Sequence, residues 1–350
     1  MGCSQGIFLG KADTPPRIGF LFPGQASPVY TEGGIWSRRF SEVRDLYKRA
    51  HLPQVRSVET EVAQPCIATA SLAGLLLLRQ FGIESNVAVG HSLGELTALC
   101  WAGAMDEETL LRVIAERGRL MSQLADPAGS SMASIQAACE DVRRRLNGDP
   151  IVVAADNAPT QTVVSGKAFA VKRFVGRLSA DGVTATMLPV SHAFHSPLMA
   201  DAAKAFSRYL TSERLGAVSK TKRIVSTVTG TAIEENTDLC RLLTDQITMP
   251  VLFAKSARDM AAEADLVIEV GPGSVLTDIV SRQFDIPAVA LNIGSDSLRG
   301  LLTAAGAAFA LGAPVQAKVL FTDRFYRPFD LRHRHKFLQN PCESVPATSF

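Results

Sequence analysis

The stretch Val-Ala-Val-Gly-His-Ser-Leu-Gly-Glu, residues 87–95, decides the fold of this chain. Its first three residues predict a short buried strand, and the run from Glu95 to Ala102 predicts a helix. Residues 90–94 between them have the Gly-x-Ser-x-Gly pattern of a sharp turn that lifts a serine hydroxyl off the edge of a sheet. Because free N–H groups at the helix start suit an oxyanion, the pattern predicts that Ser92 is the nucleophile of an acyl-transfer reaction.

Strands and helices alternate along most of the chain. Strands are predicted at 17–22, 87–89, 224–229, 265–270 and 288–293, with helices between them. Alternation of this kind predicts a mostly parallel sheet with helices on both faces. Together with the serine turn, it predicts an α/β fold whose large subdomain is α/β-hydrolase-like.

Residues 131–195 follow a different order, namely strand, helix, strand, strand, helix, strand, with a turn at 157–159. This order is typical of a ferredoxin-like unit. Because alternation resumes afterwards, the unit is predicted to be an inserted small subdomain. The predicted organisation is a leader or linker remnant at 1–16, a large subdomain at 17–130 and 196–320, a small subdomain at 131–195, and a C-terminal linker at 321–350.

Composition narrows the class of protein. The 350 residues are 47% hydrophobic and 20% charged, with a net charge of +2, which predicts a globular protein without a nucleic-acid partner. The six cysteines are scattered and form no C-x-x-C pair, so neither a metal site nor a disulfide framework is expected. Because no signal peptide and no membrane span stand out, the expected location is the cytoplasm, with no membrane partner.

A serine nucleophile needs a base, and histidine is the usual one. His51 lies in a polar segment, while residues 333 and 335 lie in a basic tail. His91 adjoins the serine but is expected to point elsewhere and to act as a support residue. His192 and His195 remain, at the junction where a cleft between the subdomains is expected, and spacing alone does not separate them.

Five blocks of the sequence resemble the malonyl-CoA:acyl-carrier-protein transacylase family, which includes the acyltransferase domains of polyketide and fatty-acid synthases. They occur in the same order and at similar spacing between residues 17 and 312. The tail at 327–343 further resembles iterative polyketide synthases of the enediyne type. The blocks are Phe-Pro-Gly-Gln at 22–25, Gly-His-Ser-Leu-Gly-Glu at 90–95, Arg-Gly-Arg-Leu-Met at 117–121, His-Ala-Phe-His-Ser at 192–196, and Glu-Val-Gly-Pro-Gly at 269–273.

The resemblance implies roles for particular residues. Ser92 forms an acyl-serine ester, and His195 is the general base of a Ser–His dyad. The backbone N–H groups of Gln25 and Leu93 form the oxyanion hole, although Ala26 replaces the glycine that is usual after this glutamine. The backbone carbonyl of Gln246 orients the histidine where a hydrolase uses an acid.

Substrate choice is implied in the same way. Arg117 binds the free carboxylate of a malonyl group, and His91 and Phe194 line the same substrate site. The His-Ala-Phe-His block at 192–195 resembles the malonyl-selective form, because Phe194 occupies the space that a methyl on the α-carbon needs. Leu93, directly after the serine, also resembles the malonyl-selective form, since members selective for the methylated substrate often have glutamine there.

Asn157 lies in the predicted turn at 157–159. A turn or capping role is slightly favoured for it over a supporting role in the site.

The implied reaction moves a malonyl group from malonyl-CoA through Ser92 to the phosphopantetheine of an acyl carrier protein, in the biosynthesis of polyketides such as antibiotics. No bound cofactor or metal is implied, and a ketosynthase domain is the expected neighbour in a full-length synthase. Two alternatives remain at this stage. One is a serine hydrolase that acts on acyl thioesters, which requires an acid for its triad. The other is a catalytically idle docking module.

Overall fold

The computed structural model of this chain describes residues 2–4, 7–10, 14–53, 57–124, 129–190 and 192–324. Its strands are β1 (Gly2–Ser4), β2 (Ile7–Leu9), β3 (Ile18–Phe22), β4 (Val87–Gly90), β5 (Ser130–Ile135), β6 (Ile151–Ala158), β7 (Gln161–Lys167), β8 (Ala185–Met187), β9 (Arg223–Ile224), β10 (Leu266–Glu269) and β11 (Ala288–Ala290). Its α-helices are α1 (Gly34–Arg39), α2 (Ser41–Arg49), α3 (Thr60–Gln80), α4 (Leu93–Trp101), α5 (Glu107–Gln123), α6 (Cys139–Leu146), α7 (Ala168–Ala180), α8 (Ala200–Leu210), α9 (Leu239–Thr248), α10 (Phe253–Ala261), α11 (Val275–Gln283) and α12 (Arg299–Ala310).

The larger sheet is parallel throughout, with the strand order β11-β10-β3-β4-β9. Every residue of β3, β4 and β10 is buried, as expected for strands with helices on both faces. In the β3–β4 register Phe22 pairs with Gly90, so the loops after these two strands start side by side. Ligands of open α/β sheets bind at this carboxyl edge. The fold class predicted from the sequence is confirmed.

The smaller sheet is antiparallel, with the order β6-β7-β5-β8, which is the ferredoxin-like arrangement. One face packs against α6 and α7 around a core that includes Ile135, Val164 and Phe174. The other face contributes Met132 and Val163 to a cavity. Core-facing and cavity-facing side chains alternate along the strands, because successive side chains of a strand point to opposite faces of the sheet. This sheet therefore has one face for its own core and one face for the site.

A register shift in β6 changes which side chains face the cavity. Ile151 and Val153 belong to the core under the helices, and the shift follows between Val153 and Ala155. After it Ala155 and Asn157 line the cavity instead. One extra residue in a strand reverses the alternation of faces beyond it, and such bulges often redirect a side chain near a site.

Some elements differ from the predictions. Helices α1, α2, α8 and α10 were not predicted, although α8 has a buried stripe of small and apolar residues. The predicted strand at 224–229 is only two residues long, because Ser226 N–H donates to the Thr231 carbonyl and the chain turns back. The turn predicted at 157–159 is wrong at its first two residues, since β6 continues to Ala158.

Among the described residues, one helix, α3, is long and apolar enough to cross a membrane. However, 78% of its most apolar window is buried inside the fold, as expected for a core helix.

The two ends of the chain also hold structure. Residues 1–16, the predicted leader or linker remnant, include the antiparallel β1–β2 hairpin, and β2 packs against α12. Residues 317–350 form a separate unit, whose described part includes the short 3-10 helix Ala317–Phe321. The remainder of the predicted linker, with its two histidines, lies outside the described residues.

Candidate active site

Ser92 lies at the apex of the turn between β4 and α4. Its φ of +49° is in the left-handed region, a strained conformation that is common at functional sites. The flanking glycines are required by close approach of the backbone. A Cβ on Gly90 would be 2.2 Å from the Glu95 nitrogen, and one on Gly94 would be 2.0 Å from the Phe22 oxygen. These contacts explain why the motif needs glycine at both positions.

His195 lies beside the serine. Its Nε2 is 2.9 Å from Ser92 Oγ, and its Nδ1 is 3.0 Å from the carbonyl oxygen of Met249. A carbonyl only accepts hydrogen bonds, so Nδ1 carries the proton and Nε2 of the neutral ring accepts the serine O–H. His192 is also buried, but its ring packs against the edge of Phe194 and its Nδ1 has no partner in the described part of the chain. The structure thus resolves the choice that spacing left open.

The surroundings keep the His195 ring neutral. Burial is the largest effect and lowers its pKa to about 3, with smaller contributions in the same direction from Arg117 and His91. The carbonyls of Met249 and Gln246 act in the opposite direction. A ring that stays neutral at physiological pH is available to accept a proton from the serine.

The two amides expected at an oxyanion hole border the same cavity as Ser92. Gln25 follows β3, and Leu93 begins α4. Neither backbone N–H donates to an acceptor within the described ranges. The Gln25 side chain is held by α3, because its Nε2 donates to Thr60 Oγ1 at 3.0 Å and its Oε1 accepts from Gln64 Nε2 at 3.1 Å. The loop is therefore fixed by a side chain while its amide stays free.

Arg117 is a buried cation on α5, with only 1% of its surface exposed. Its Nη2 donates to Gln246 Oε1 at 3.1 Å, and its Nε has no partner among the described residues. Burial lowers its pKa to about 10, opposed by the charge of Glu95, so the guanidinium remains charged near neutral pH. A buried cation that lines a cavity with an unused donor suits an anionic ligand.

His91 and Phe194 both line the cavity. His91 Nε2 donates to Asn157 Oδ1 at 2.9 Å, which joins the serine turn to the smaller sheet. Burial lowers the pKa of His91, which favours the neutral form of its ring. Asn157 thus contacts the residue next to Ser92 and does not form the turn that the sequence favoured.

One cavity of about 300 Å³ contains all of these groups. It is lined by Ser92, His195 and Arg117 together with Met132, Val163 and other apolar side chains. A mostly apolar site with few polar groups is typical of a pocket for a small organic ligand. In the described part of the chain, no three metal-ligating side chains lie close enough to hold a metal ion.

The acyl transferase domain family matches residues 41–324. The chain belongs to this family. The resemblance drawn from five sequence blocks is therefore confirmed.

Individual relatives agree with the family. This acyltransferase domain is 33% identical to a phenolphthiocerol synthesis polyketide synthase type I of Mycobacterium bovis, over 98% of this chain and 17% of that protein. The chain spans less than a quarter of the length of the curated relatives that it matches. None of these relatives supports the hydrolase alternative.

Two solved structures are similar to the acyltransferase domain. An acyltransferase domain of an iterative polyketide synthase in enediyne biosynthesis is 37% identical, with a TM-score of 0.76, over 89% of this chain and 74% of that one. A malonyl CoA-acyl carrier protein transacylase from Clostridium perfringens is 27% identical, with a TM-score of 0.75, over 81% of this chain and 95% of that one.

The site differs from the sequence analysis at Gln246. The carbonyl within hydrogen-bonding distance of His195 Nδ1 is that of Met249, three residues further on. The Gln246 carbonyl also acts on the ring as a hydrogen-bond acceptor, more weakly than that of Met249, and the Gln246 side chain contacts Arg117 and Glu95. The backbone extends at Met249 after α9 ends, which accounts for the shift in position.

Sequence reasoning missed three residues of this acyltransferase site. Met249 gave no signal, because a backbone carbonyl has no sequence signature. Gln64 is hidden within the apolar helix α3. Glu95 did give a signal, since it is the only charged residue in α4, a helix that is otherwise apolar or uncharged. A lone carboxylate among buried residues needs a partner, and its presence points to one.

Proposed function

We propose that this domain transfers a malonyl group from coenzyme A to Ser92 and then to the phosphopantetheine thiol of an acyl carrier protein, in polyketide biosynthesis. The main supporting observation is that one cavity contains both the Ser92–His195 pair and the buried cation of Arg117. The first group suits acyl transfer, and the second suits an acyl group with a free carboxylate.

In the first half-reaction, His195 Nε2 takes the proton of Ser92 Oγ as that oxygen attacks the thioester carbonyl carbon. The N–H groups of Gln25 and Leu93 stabilise the resulting oxyanion. The tetrahedral intermediate collapses by breaking the carbon–sulfur bond. The coenzyme A thiolate leaves with the proton from His195, and the malonyl group remains on the serine as an ester.

The second half-reaction reverses these roles. The phosphopantetheine thiol enters the cavity that coenzyme A has vacated, and His195 takes its proton. The thiolate attacks the ester carbonyl, and the same two amides stabilise the oxyanion. Ser92 Oγ then leaves with the proton from His195. Because the first product departs before the second substrate binds, the kinetics are ping-pong.

Arg117 selects the acyl group in this scheme. A malonyl carboxylate satisfies the buried guanidinium, whereas an acetyl group leaves the cation without a counter-ion. Phe194 and Leu93 border the same cavity. We infer that the bulk of Phe194 disfavours a methyl group on the α-carbon, so that malonyl is preferred over methylmalonyl.

The partners follow from the reaction and from the relatives. The chain spans 17% of the Mycobacterium bovis polyketide synthase, which suggests a domain that works beside others. We propose that a phosphopantetheine-bearing carrier protein receives the acyl group, and that a ketosynthase domain is its neighbour. The reaction itself needs no bound cofactor, and we place it in the cytoplasm.

The proposal is tested by intact-protein mass spectrometry after incubation with malonyl-CoA. We expect the protein to gain the mass of one malonyl group and to lose it when a phosphopantetheine-bearing carrier protein is added. The carrier protein should gain the same mass. Release of free malonate without any gain on the carrier would overturn the proposal in favour of hydrolysis.

Two variants locate the acylated residue. Ser92→Ala should remove the mass gain. Ser165→Ala is the matched control, because it removes a buried serine hydroxyl on β7 that has no partner among the described residues, and it should still be acylated. A protein that is not acylated by any acyl-CoA would instead support an idle docking module.

A further inference from the structure

Glu95 places a fully buried carboxylate close to the site. It lies in the first turn of α4, three residues after the nucleophile. Its Oε2 accepts a hydrogen bond from Thr227 Oγ1 at 2.9 Å and another from Gln246 Nε2 at 3.2 Å. Burial raises the pKa of this carboxyl group, and the donors partly offset that effect. A buried charge of this kind requires a compensating partner.

The side chain of Gln246 connects this carboxylate to the guanidinium. Its Nε2 donates to Glu95 Oε2, while its Oε1 accepts from Arg117 Nη2 at 3.1 Å. A carboxylate only accepts and a guanidinium only donates, so these two neighbours fix which way the amide faces. The result is a chain of hydrogen bonds from an anion through an amide to a cation, in which each bond strengthens the next.

The end of α9 also holds the base. The Ile247 carbonyl accepts a hydrogen bond from the His195 backbone N–H at 3.2 Å, and Met249 accepts one from Nδ1. One turn of chain therefore contacts both the imidazole and the guanidinium. Gln246 contacts the charged side chains of Glu95 and Arg117, whereas the Met249 group that contacts the imidazole is a neutral carbonyl.

We propose that Glu95 and Gln246 are positioning residues that hold Arg117 ready for a substrate carboxylate, and so set the preference for carboxylated over plain acyl groups. The inference rests on the proposed function. Gln246 occupies one end of the guanidinium, which restricts an otherwise flexible side chain. Arg117 lines the cavity, and its Nε has no partner among the described residues. Preorganisation of this kind lowers the entropy that binding costs.

The test compares malonyl-CoA with acetyl-CoA as acyl donors for Ser92. Glu95→Gln keeps the shape of the side chain and removes its charge. We expect the ratio of malonyl to acetyl kcat/KM to fall about tenfold, the effect of losing one charge-assisted hydrogen bond. The change should appear mainly in KM for malonyl-CoA. If Glu95 had a merely structural role, kcat/KM would fall to a similar extent for malonyl-CoA and acetyl-CoA, and their ratio would not change.

A double-mutant cycle tests whether Glu95 acts through the guanidinium. In an Arg117→Ala background, Glu95→Gln should not change the ratio further, because no cation remains to position. An equal loss in both backgrounds would overturn the inference. If Glu95→Gln does not fold, Gln246→Leu tests the same chain of bonds in the same cycle, and an unchanged ratio would overturn the inference.

The outcomes separate this inference from the proposed function. If the wild-type protein shows no preference for malonyl-CoA, or if Arg117→Ala leaves the preference intact, both fail together. If Arg117→Ala removes the preference but Glu95→Gln and Gln246→Leu do not alter it, only the positioning inference fails.

Discussion

The Nδ1 atom of His195 lies 3.0 Å from the backbone carbonyl oxygen of Met249. In a serine hydrolase, this position is taken by a carboxylate that stabilises the imidazolium form. A neutral carbonyl orients the ring and fixes its tautomer but provides less stabilisation for the positive charge. The buried carboxylate of the site, Glu95, instead connects to Arg117 through Gln246. The carboxylate that a triad places at its base here contacts, through Gln246, the buried cation Arg117.

The first prediction concerns the pH dependence of acylation. Because burial lowers the pKa of His195 to about 3, the ring remains neutral from pH 8 down to pH 5. We therefore expect the single-turnover rate of Ser92 acylation by malonyl-CoA to be nearly constant over that range, as measured by rapid quenching. With a histidine of ordinary pKa, about 6.5, the acylation rate would fall more than tenfold by pH 5. Such a fall would contradict the prediction.

The second prediction concerns Arg117→Ala. Removing a buried cation that pairs with a substrate carboxylate should lower kcat/KM for malonyl-CoA by about 100-fold, or about 3 kcal/mol. Acetyl-CoA should lose far less, because it makes no such pair. Arg119→Ala is the matched control, since this exposed arginine of the same helix pairs with Glu116 outside the cavity. Equal losses of kcat/KM with malonyl-CoA and acetyl-CoA would contradict the proposal that Arg117 binds the malonyl carboxylate.

The third prediction concerns Phe194. If its ring fills the space beside the α-carbon, Phe194→Ala should raise the ratio of methylmalonyl to malonyl loading by about tenfold, the discrimination that one methyl group gives. Phe194→Leu keeps part of the bulk and should give a smaller change. Competition between the two acyl-CoAs, followed by protein mass measurement, gives the ratio directly. An unchanged ratio in both variants would show that another residue excludes the methyl group.

The fourth prediction concerns stability and Glu269. This carboxyl group ends β10 fully buried, and burial raises its pKa to about 7 although Oε2 accepts from Thr277 N–H at 2.7 Å. Since the folded state holds this proton more tightly than the unfolded chain, its contribution to stability is complete at low pH and is lost as the pH rises through 7. The wild-type protein should therefore lose up to about 3 kcal/mol of unfolding free energy from this group by pH 8.5.

Glu269→Gln tests this assignment because the amide resembles the protonated acid. We expect the variant to unfold at a higher temperature than the wild-type protein at pH 8.5, and this advantage to be much smaller at pH 5. Asp201→Asn, which changes an exposed acid on α8 that is not among the groups acting on Glu269, should leave the pH dependence as it is in the wild-type protein. A Glu269→Gln variant with the wild-type pH profile would show that this carboxyl group does not titrate near neutral pH.

The sequence by itself determined the features that depend on neighbouring residues. A strand, two glycines and an apolar helix within residues 87–95 are enough to specify the turn that presents Ser92, because close backbone approach allows no other residue type at Gly90 and Gly94. The alternation of elements likewise specified the parallel sheet and the inserted antiparallel sheet.

Only the tertiary structure decided which distant groups meet. It placed His195, and not His192, beside the serine. It supplied a carbonyl from Met249, and a bulge in β6 turned Asn157 toward His91. These contacts join residues 54 to 103 positions apart, and a backbone carbonyl or a shifted register leaves no mark in local sequence. Their positions depend on how the two sheets pack around one cavity, which local patterns of polarity cannot encode.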